Sequence, residues 1–383
     1  MMHIAYVCTD PGIPVWGAKG ASIHVQEMLR AFVQRGDRVT LLTPRLGGDP
    51  PTDLAGVTVD LLPPAPKGNP ETRARGLLAM NDAVAKALER LLPDVVYERH
   101  ALFAHAAMEW AAKAARPGVL EVNAPLLAEQ AAHRELALPL EAEASVKRAM
   151  RAASLVCGVT DPVVHYAQSM GARDAIVVPN AVNPARFPEP LARPDRPFTV
   201  GFLGSMKPWH GLSTLVEAFA GLRRHVADAR LLIVGDGPER PAIEAQLATL
   251  ALSDSAEITG LLPASEVAEA LAGIDVGTAP YHAMEDFYFS PLKIYEYMAA
   301  GLPIVTSRAG HLDQLVSDEE TGLVVAPGDA QALAKALMQM ANDRQMARAM
   351  GDRARAHVLA HHTWSATADR VLSRALGAEQ NAA

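Results

Sequence analysis

The sequence predicts an α/β protein made of two similar domains that face each other across a cleft, and three observations support this. Short β-rich runs alternate with longer Ala- and Leu-rich stretches, which is typical of βαβ units around a parallel sheet. A proline-rich segment near residues 178–198 interrupts the alternation, because proline continues neither a helix nor a central strand. After that segment the alternation restarts.

The predicted elements follow from this pattern in chain order. The first half has the β-rich runs HIAYVC, RVTLLTP, VTVDLL, DVVYER, GVLEVN, SLVCGV and AIVVPN, with helices such as SIHVQEMLRAFVQRG and RARGLLAMNDAVAKALERL between them. The second half has FTVGFLG, ARLLIVG, AEITG, VGTAP, LPIVTS and GLVVAP. The end of the chain is helical throughout, with one break near 361–363.

These elements predict a first domain at residues 1–182, a linker at 183–198 and a second domain at 199–360. A last helix at 361–383 follows, and its periodicity leaves open whether it returns to the first domain. Two similar halves joined by a linker leave a cleft, which is a usual place for a ligand.

Composition excludes several classes of protein. Hydrophobic residues make up 50% and charged residues 20% of the 383 residues, so an extensively disordered chain is excluded. The net charge of −8 argues against nucleic acid as the main partner. Cys8 and Cys157 lie in apolar runs, which favours a reduced, cytoplasmic setting. We expect neither a signal peptide nor a membrane span.

Two strand-to-helix loops carry glycines where an anionic group would approach backbone N–H groups. The first contains Gly17, Lys19 and Gly20, and an ordinary βα turn is the alternative. The second, GFLGSMKPWHGL, places Ser205, Lys207 and His210 in a setting that suits a diphosphate; the alternative is a solvated charged turn. The GDGP turn around Asp236 is a weaker signal and does not match the dinucleotide fingerprint.

The densest motif is SPLKIYEYMAAGLPIV. Its Ser290 and Pro291 predict the N-cap and first residue of a helix, on which Lys293 and Glu296 share one face. Phosphate would take the helix end and the lysine, while a ribose diol would donate to Glu296. The alternative is an intrahelical Lys–Glu pair of little weight.

Polar residues also end two strands of the first half. Glu98, Arg99 and His100 follow DVVY, and Glu121 and Asn123 end GVLEVN, where side chains at carboxyl ends typically face a site. Each is alternatively a satisfied loop or core residue. His105 is expected inside a helix. No spacing predicts a zinc site, a nucleophile elbow or a P-loop.

In this order, GAKGAS, VVPNAV, GFLGSMKPWHGLSTLVEAF, LLIVGDGP, EITGLLP, SPLKIYEYMAAGLPIV and ETGLVVAPGD resemble the retaining, nucleotide-sugar-dependent glycosyltransferases of family 4, with the GT-B fold. The resemblance covers essentially the whole chain. It implies two Rossmann-like domains and transfer of a sugar from a nucleoside-diphosphate donor to a hydroxyl acceptor with retention. It implies no metal, because side chains and helix ends offset the charge.

The resemblance also implies roles for particular residues. The donor would meet three groups of them: Gly17, Gly20, Ser205, Lys207, His210 and Asp236; the base-holding Leu261 and Leu262; and Asp286, Ser290, Pro291, Leu292, Lys293 and Glu296. Lys207 and Lys293 would also act in catalysis, together with Arg99 or His100, one of which would meet the sugar. The acceptor, whether carbohydrate, lipid-linked or a small molecule, would approach Lys19, Glu98, Glu121 and Asn123.

The chain departs from the family pattern at Tyr288, where common members have the first of two glutamates; Asp286 or Glu285 is the nearby carboxylate. Two other functions stay open: a nucleotide-sugar epimerase or hydrolase of the same architecture, and a two-domain binding protein without chemistry. A dehydrogenase is disfavoured because the dinucleotide fingerprint is missing. Peripheral contact with the inner membrane face also stays open, because many relatives act on envelope acceptors.

Overall fold

A computed structural model describes residues 1–133, 135–188, 196–284 and 287–377. The chain forms two compact units. Unit 1 contains Met1–Asn180, Tyr288–Ser290 and the described residues from Trp364 onward, and unit 2 contains Ala181–Phe287 and Pro291–Thr363.

Unit 1 is built on a seven-stranded parallel sheet with the strand order β3-β2-β1-β4-β5-β6-β7. Its strands are β1 (His3–Cys8), β2 (Arg38–Thr43), β3 (Thr58–Leu61), β4 (Val95–Arg99), β5 (Gly118–Val122), β6 (Leu155–Gly158) and β7 (Ala175–Val177). Its helices are α1 (Gly20–Gln34), α2 (Pro70–Leu91), α3 (Ala106–Lys113), α4 (Leu126–His133), α5 (Pro139–Ala152), α6 (Asp161–Ser169) and α14 (Trp364–Ala375).

Unit 2 has a six-stranded parallel sheet with the order β10-β9-β8-β11-β12-β13. The strands are β8 (Thr199–Leu203), β9 (Arg230–Val234), β10 (Ala256–Gly260), β11 (Val276–Ala279), β12 (Ile304–Ser307) and β13 (Gly322–Val325). The helices are α7 (Leu212–Arg223), α8 (Arg240–Thr249), α9 (Ala264–Ala272), α10 (Leu292–Ala299), α11 (Leu312–Leu315), α12 (Ala330–Asn342) and α13 (Arg344–His361).

The strands read as apolar runs because helices cover both faces of each sheet, as parallel sheets require. Every residue of β1, β4, β5 and β8 is buried. Side chains fix several helix starts: Asn69 accepts from Thr72 N at 2.8 Å to begin α2, and Asp329 accepts from Ala332 N at 2.8 Å to begin α12. The β-rich runs of the sequence therefore become strands for the expected physical reason.

Strand order places a topological switch point in each sheet. The order reverses between β1 and β4 in unit 1 and between β8 and β11 in unit 2. Loops leaving the carboxyl ends of two such strands diverge, which opens a crevice where α/β sheets bind ligands. The two switch points define where a site is expected in each unit.

Three details differ from the sequence prediction. The C-terminal region has a second break at Asp343, which caps α13 by accepting from Met346 N at 2.8 Å. His105 is not inside a helix but is the residue before α3, and its N–H donates to Asn81 Oδ1. The short segment Tyr288–Ser290 belongs to unit 1 although the chain on both sides of it belongs to unit 2.

The C-terminal α14 packs within unit 1. Trp364 is buried and lies edge-on to the His24 ring of α1, with 4.6 Å between ring centroids. Arg374 pairs with Asp174 at 3.2 Å. Much of the predicted linker, residues 189–195, lies outside the described residues. No described helix is both long and apolar enough for a membrane span.

Candidate active site

The loop that follows β8 begins the candidate site of unit 2. It runs from Gly204 to Gly211 and leads into α7. Gly211 has a φ of 67°, and a Cβ there would lie 1.7 Å from the carbonyl oxygen of Pro280, the residue after β11. No other residue fits at this position, because both the backbone conformation and the close approach require glycine. The loops at the switch point are therefore in backbone contact.

The GDGP turn after β9 packs against the backbone of this loop. A Cβ on Gly235, where φ is 146°, would lie 2.0 Å from the Gly204 carbonyl oxygen. Met206 N donates to Asp236 O at 3.0 Å, which joins the two loops. The Asp236 carboxylate accepts from Gly237 N at 2.7 Å and from Arg240 at 3.2 Å. The predicted donor-binding Asp236 is thus engaged in holding its own turn.

His210 lies in the same loop as a neutral imidazole. Its Nδ1 is hydrogen-bonded to the Ser205 carbonyl, and its ring lies edge-on to Tyr281, with 5.2 Å between centroids. Burial lowers its pKa to about 3, and the charges of Lys293 and Lys207 act in the same direction. His210 therefore carries no positive charge at neutral pH in the ligand-free chain.

Two lysine amines lie at the loop. Lys207 Nζ lies 5.8 Å from the centroid of the Trp209 ring, so the indole packs beside the ammonium. Lys293, on α10, also contacts the loop, because a Cβ on Gly204 would lie 3.3 Å from Lys293 Nζ. Lys207 and Lys293, two of the predicted site residues, therefore both lie at the loop after β8.

The start of α10 differs from the prediction. The helix begins at Leu292, and Pro291, not Ser290, is its N-cap residue. Ser290 is instead tied to unit 1: its hydroxyl accepts from Asn180 N at 3.1 Å, and its carbonyl accepts from the Asn180 amide. The Ser290 hydroxyl therefore bonds a residue far away in the sequence, and no local sequence pattern predicts that contact.

Glu296 lies one turn after Lys293 and has an arginine partner. Its Oε1 is 3.1 Å from Arg186 Nη1, and both side chains are less than one-fifth exposed. Arg186 ends the short 3-10 helix Pro184–Arg186, inside the segment that the sequence predicted as linker. Sequence reasoning missed Arg186, because nothing in its spacing connects it to α10.

The remaining donor-side predictions lie at the rim of unit 2. Leu261 is 67% exposed in the turn after β10, and Leu262 is half-buried beside it. Gly260, with φ of 74°, allows that turn. Asp286 and Glu285 lie outside the described residues.

An open depression of about 630 Å³ lies at the opposite edge of the unit 2 sheet. It is beside Thr199 and Arg230, at the amino ends of β8 and β9. Arg230 donates to Asp254 O at 2.7 Å, and Arg223 donates to Ala229 O at 3.1 Å. Its guanidinium groups therefore already hold backbone, and the switch point remains the better candidate.

Glu121 is the centre of a buried polar cluster in unit 1. Its carboxylate accepts from Tyr97 at 2.8 Å, Arg99 at 2.6 Å and Asn123 at 2.5 Å, and it lies 2.9 Å from His24 Nε2. Burial alone would raise the pKa of this carboxyl, but His24 and Arg99 outweigh it and hold the pKa well below its usual range. Three predicted residues therefore meet here, oriented toward one another.

Glu98 lies on the other face of β4. It is 1% exposed, and burial raises its pKa to about 8. It lines a cavity of about 10 Å³, together with Thr9 and Asn81, which has room for about one water molecule. Within the described residues, neither Glu98 Oε2 nor the Thr9 hydroxyl has a hydrogen-bond partner. The protonated acid therefore faces the interior of unit 1.

His100, the next residue, is also buried. Its backbone N–H donates to Glu121 O at 2.8 Å, and burial lowers the pKa of its ring to about 4. Neither ring nitrogen has a partner among the residues that the structure describes. His100 is neutral at physiological pH, so its contribution at a site is hydrogen bonding.

The glycine loop after β1 is held by a residue that the sequence did not reveal. Gln26, buried on α1, donates through Nε2 to Val15 O at 2.7 Å and to Gly17 O at 2.9 Å. Lys19 and Gly20, at the start of α1, are exposed. The sequence signal that could have identified Gln26 is a polar residue on the buried face of a predicted helix, since a buried polar group needs a hydrogen-bond partner.

Tyr288, at the family's glutamate position, is partly buried and packs against the hydrophobic core of unit 1. Its carbonyl accepts from the Thr160 hydroxyl at 3.1 Å. Burial, with the neighbouring Glu129, raises the pKa of its phenol above the usual value. This side chain therefore does not replace a sugar-binding carboxylate.

Two family models match this chain: Glycosyltransferase Family 4 over residues 18–186 and Glycosyl transferases group 1 over residues 197–343. The chain belongs to the family 4 glycosyltransferases. The matched ranges contain the glycine loop of unit 1 and the Gly204–Gly211 loop and α10 of unit 2.

Curated relatives of this family 4 member act on several substrates. The GDP-mannose-dependent alpha-(1-6)-phosphatidylinositol monomannoside mannosyltransferase of Mycolicibacterium smegmatis is 30% identical over 224 residues, or 52% of this chain and 56% of the relative. The 2-deoxystreptamine glucosyltransferase of Streptomyces kanamyceticus is 30% identical over 206 residues, or 50% and 52%. The chain thus spans about half the length of these curated relatives.

Solved structures share the fold of this chain. Sucrose-phosphate synthase from Thermosynechococcus elongatus matches with a TM-score of 0.76 and 23% identity over 99% of this chain and 100% of that one. Anabaena HepE, in complex with UDP-glucose, matches with a TM-score of 0.72 and 20% identity over 98% and 99%. Two Rossmann-like domains of the GT-B type are therefore the fold class of this chain.

The buried acid Glu98 makes stability depend on pH. Its pKa is about 8 in the folded chain against a usual 4.5, so the folded state holds a proton that the unfolded state releases between these values. Glu98 therefore stabilises the fold fully below pH 4.5, and that contribution is lost as pH rises toward 8. Replacing Glu98 by Gln should remove this dependence. Relative to wild type, the free energy of unfolding of E98Q should rise between pH 5 and pH 8 by on the order of a few kcal/mol.

Urea unfolding at each pH measures the difference, and Glu89→Gln, at an exposed glutamate of α2, is the matched control. We expect the control to differ from wild type by a constant amount across the range. A pH-independent difference for E98Q as well would show that Glu98 is ionised in the folded chain.

Proposed function

We propose that this chain transfers a hexosyl group from a nucleoside-diphosphate sugar to a hydroxyl acceptor, with retention of configuration at the anomeric carbon. The observation that carries the proposal is the switch point of unit 2. There a glycine loop at the start of α7 meets Lys207 and Lys293, while Glu296 stands one helical turn farther on. Such a loop offers backbone N–H groups and cations to a diphosphate.

Different parts of the donor would contact different residues of this site. The diphosphate would lie against the Gly204–Gly211 loop and the two lysines, and the ribose diol would donate to the Glu296 carboxylate. Arg186 would hold that carboxylate in place, because the pair is 3.1 Å apart and mostly buried. Family resemblance supports the assignment, as do relatives whose names include GDP-mannose and a structural neighbour that binds UDP-glucose.

The reaction would break the bond between the anomeric carbon and the diphosphate oxygen. The lysines would stabilise the negative charge that develops on the leaving diphosphate. The acceptor oxygen would bond to the anomeric carbon on the same face, and its proton would pass to the departing phosphate oxygen. We propose that no metal is needed, because the lysines and the helix end offset the charge.

The state of the unit 1 carboxyl groups supports a transfer without an enzyme nucleophile. Glu121 is occupied by Tyr97, Arg99, Asn123 and His24, and Glu98 is protonated at neutral pH. Neither is a free carboxylate of the kind that double-displacement transfer employs. The leaving phosphate is then the base available to the acceptor.

A product assay tests the proposed activity. UDP-glucose, GDP-mannose and ADP-glucose are each incubated with the protein and with myo-inositol, 2-deoxystreptamine or L-malate, with and without EDTA. We expect one donor to release its nucleoside diphosphate and to yield an α-glycoside by proton NMR, equally with EDTA. A β-glycoside would contradict retention. An isomerised donor or free sugar as the sole product would indicate the epimerase or hydrolase, and an unchanged donor throughout would favour a binding protein.

A second prediction concerns Glu296. Glu296→Ala should weaken binding of the nucleoside diphosphate by roughly 1.5–3 kcal/mol, about 10- to 150-fold in Kd, because a hydrogen bond to a charged group is lost. Calorimetric titration with UDP, GDP and ADP measures this. Glu269→Ala, at an exposed glutamate of α9 in the same unit, should bind like wild type. Unchanged affinity in a folded Glu296→Ala protein would remove Glu296 from the site.

A further inference from the structure

Lys293 is a buried amine without a hydrogen-bond partner. Its side chain is 7% exposed, and Nζ makes no hydrogen bond to any residue that the structure describes. Nζ instead lies 4.0 Å from the centroid of the Phe202 ring and 5.3 Å from that of Tyr281. An ammonium carries three donors, so this position leaves it poorly solvated in the free protein.

One side of the amine faces the loop where the diphosphate is proposed to bind. Gly204 lies directly above it, since a Cβ there would be 3.3 Å from both Cε and Nζ of Lys293. Because Gly204 has no side chain, the amine lies against the backbone of the Gly204–Gly211 loop. An anion at this loop would give the amine the acceptor that it lacks.

We propose that Lys293 takes up protons from solvent when a nucleoside-diphosphate sugar binds, so that a partly protonated amine in the free protein becomes a full ammonium in the complex. This inference rests on the proposed function of the same loop. The proton adds to the lone pair of Nζ, and no other bond changes. Part of the charge that balances the diphosphate is thereby created by binding, and that part grows as pH rises above 7.

The groups around Lys293 are consistent with uptake at this nitrogen. Within the described part of the chain, the titratable or charged ones are Glu296 and Tyr297 on α10, His210 and Lys207 on the loop, Tyr281 after β11, and Arg186, the partner of Glu296. Burial lowers the pKa of Lys293 to about 7, although the Glu296 charge opposes it. His210, with a pKa of about 3, stays neutral throughout, and burial keeps the Tyr281 and Tyr297 phenols protonated.

Calorimetry in buffers of different ionisation enthalpy measures the uptake. PIPES, HEPES and Tris are compared at pH 6, 7 and 8, with UDP-glucose or GDP-mannose as the titrant, because their diphosphate diesters do not titrate in this range. If phosphate raises the lysine pKa by about two units, uptake is about 0.1 proton at pH 6, about half at pH 7 and about 0.8 at pH 8. The slope of apparent enthalpy against buffer ionisation enthalpy gives these values.

Three variants locate the proton. Lys293→Met should bind more weakly and take up none. His105→Asn and Glu98→Gln, which remove groups with shifted pKa values in unit 1, should retain the wild-type uptake. If Lys293→Met fails to fold, NMR of the wild-type protein labelled with ¹⁵N-lysine follows Nζ directly, and its titration midpoint should rise when the sugar nucleotide is added.

The outcomes separate the two proposals. Sugar-nucleotide binding with no proton uptake at pH 7 and 8, or uptake that persists in Lys293→Met, overturns the inference and leaves the proposed function intact. Failure to bind any of the sugar nucleotides overturns the proposed function and this inference with it.

Discussion

Close packing of backbone against backbone at the carboxyl edge of the unit 2 sheet is the constraint on which the candidate site depends. Gly211 lies against Pro280 O and Gly235 against Gly204 O, at separations that exclude any side chain. These contacts fix the loops after β8, β9 and β11 relative to one another. The start of α7 and the amine of Lys293 are thereby brought to one place.

The two units treat buried charge in opposite ways. In unit 1, Glu121 is surrounded by four donors, so its charge is satisfied before any ligand arrives. In unit 2, the Nζ atom of the buried Lys293 lies against two aromatic rings and has no hydrogen-bond partner among the described residues, and burial lowers its pKa. A buried ion cluster with all its partners present is costly to break, whereas a buried charge without an acceptor is a candidate for a ligand site. This contrast is the reason for proposing the diphosphate site in unit 2.

The fold was predictable because parallel strands must be apolar on both faces, and each β-rich run of the sequence contains an observed strand. The switch-point loops were predictable for a related reason, since glycines at strand ends mark turns and close approaches. The placement of Lys293 and Glu296 one turn apart on the same helix followed from helical spacing alone.

Other features depend on contacts between distant parts of the chain, which periodicity does not encode. Ser290 has the sequence signature of a helix cap, yet both its hydroxyl and its carbonyl accept hydrogen bonds from Asn180. Arg186 reaches Glu296 from a segment that looked like a linker, and Gln26 holds Gly17 from inside a helix. Glu121 and Arg99 end strands as site residues do, but adjacent strands turn them toward each other.

The most direct test of this account is a crystal structure of the protein with a bound nucleoside-diphosphate sugar. The account predicts the diphosphate at the Gly204–Gly211 loop, with a phosphate oxygen within hydrogen-bond distance of Lys293 Nζ and the ribose at Glu296. A diphosphate bound elsewhere, with Lys293 still enclosed only by Phe202 and Tyr281, would contradict it.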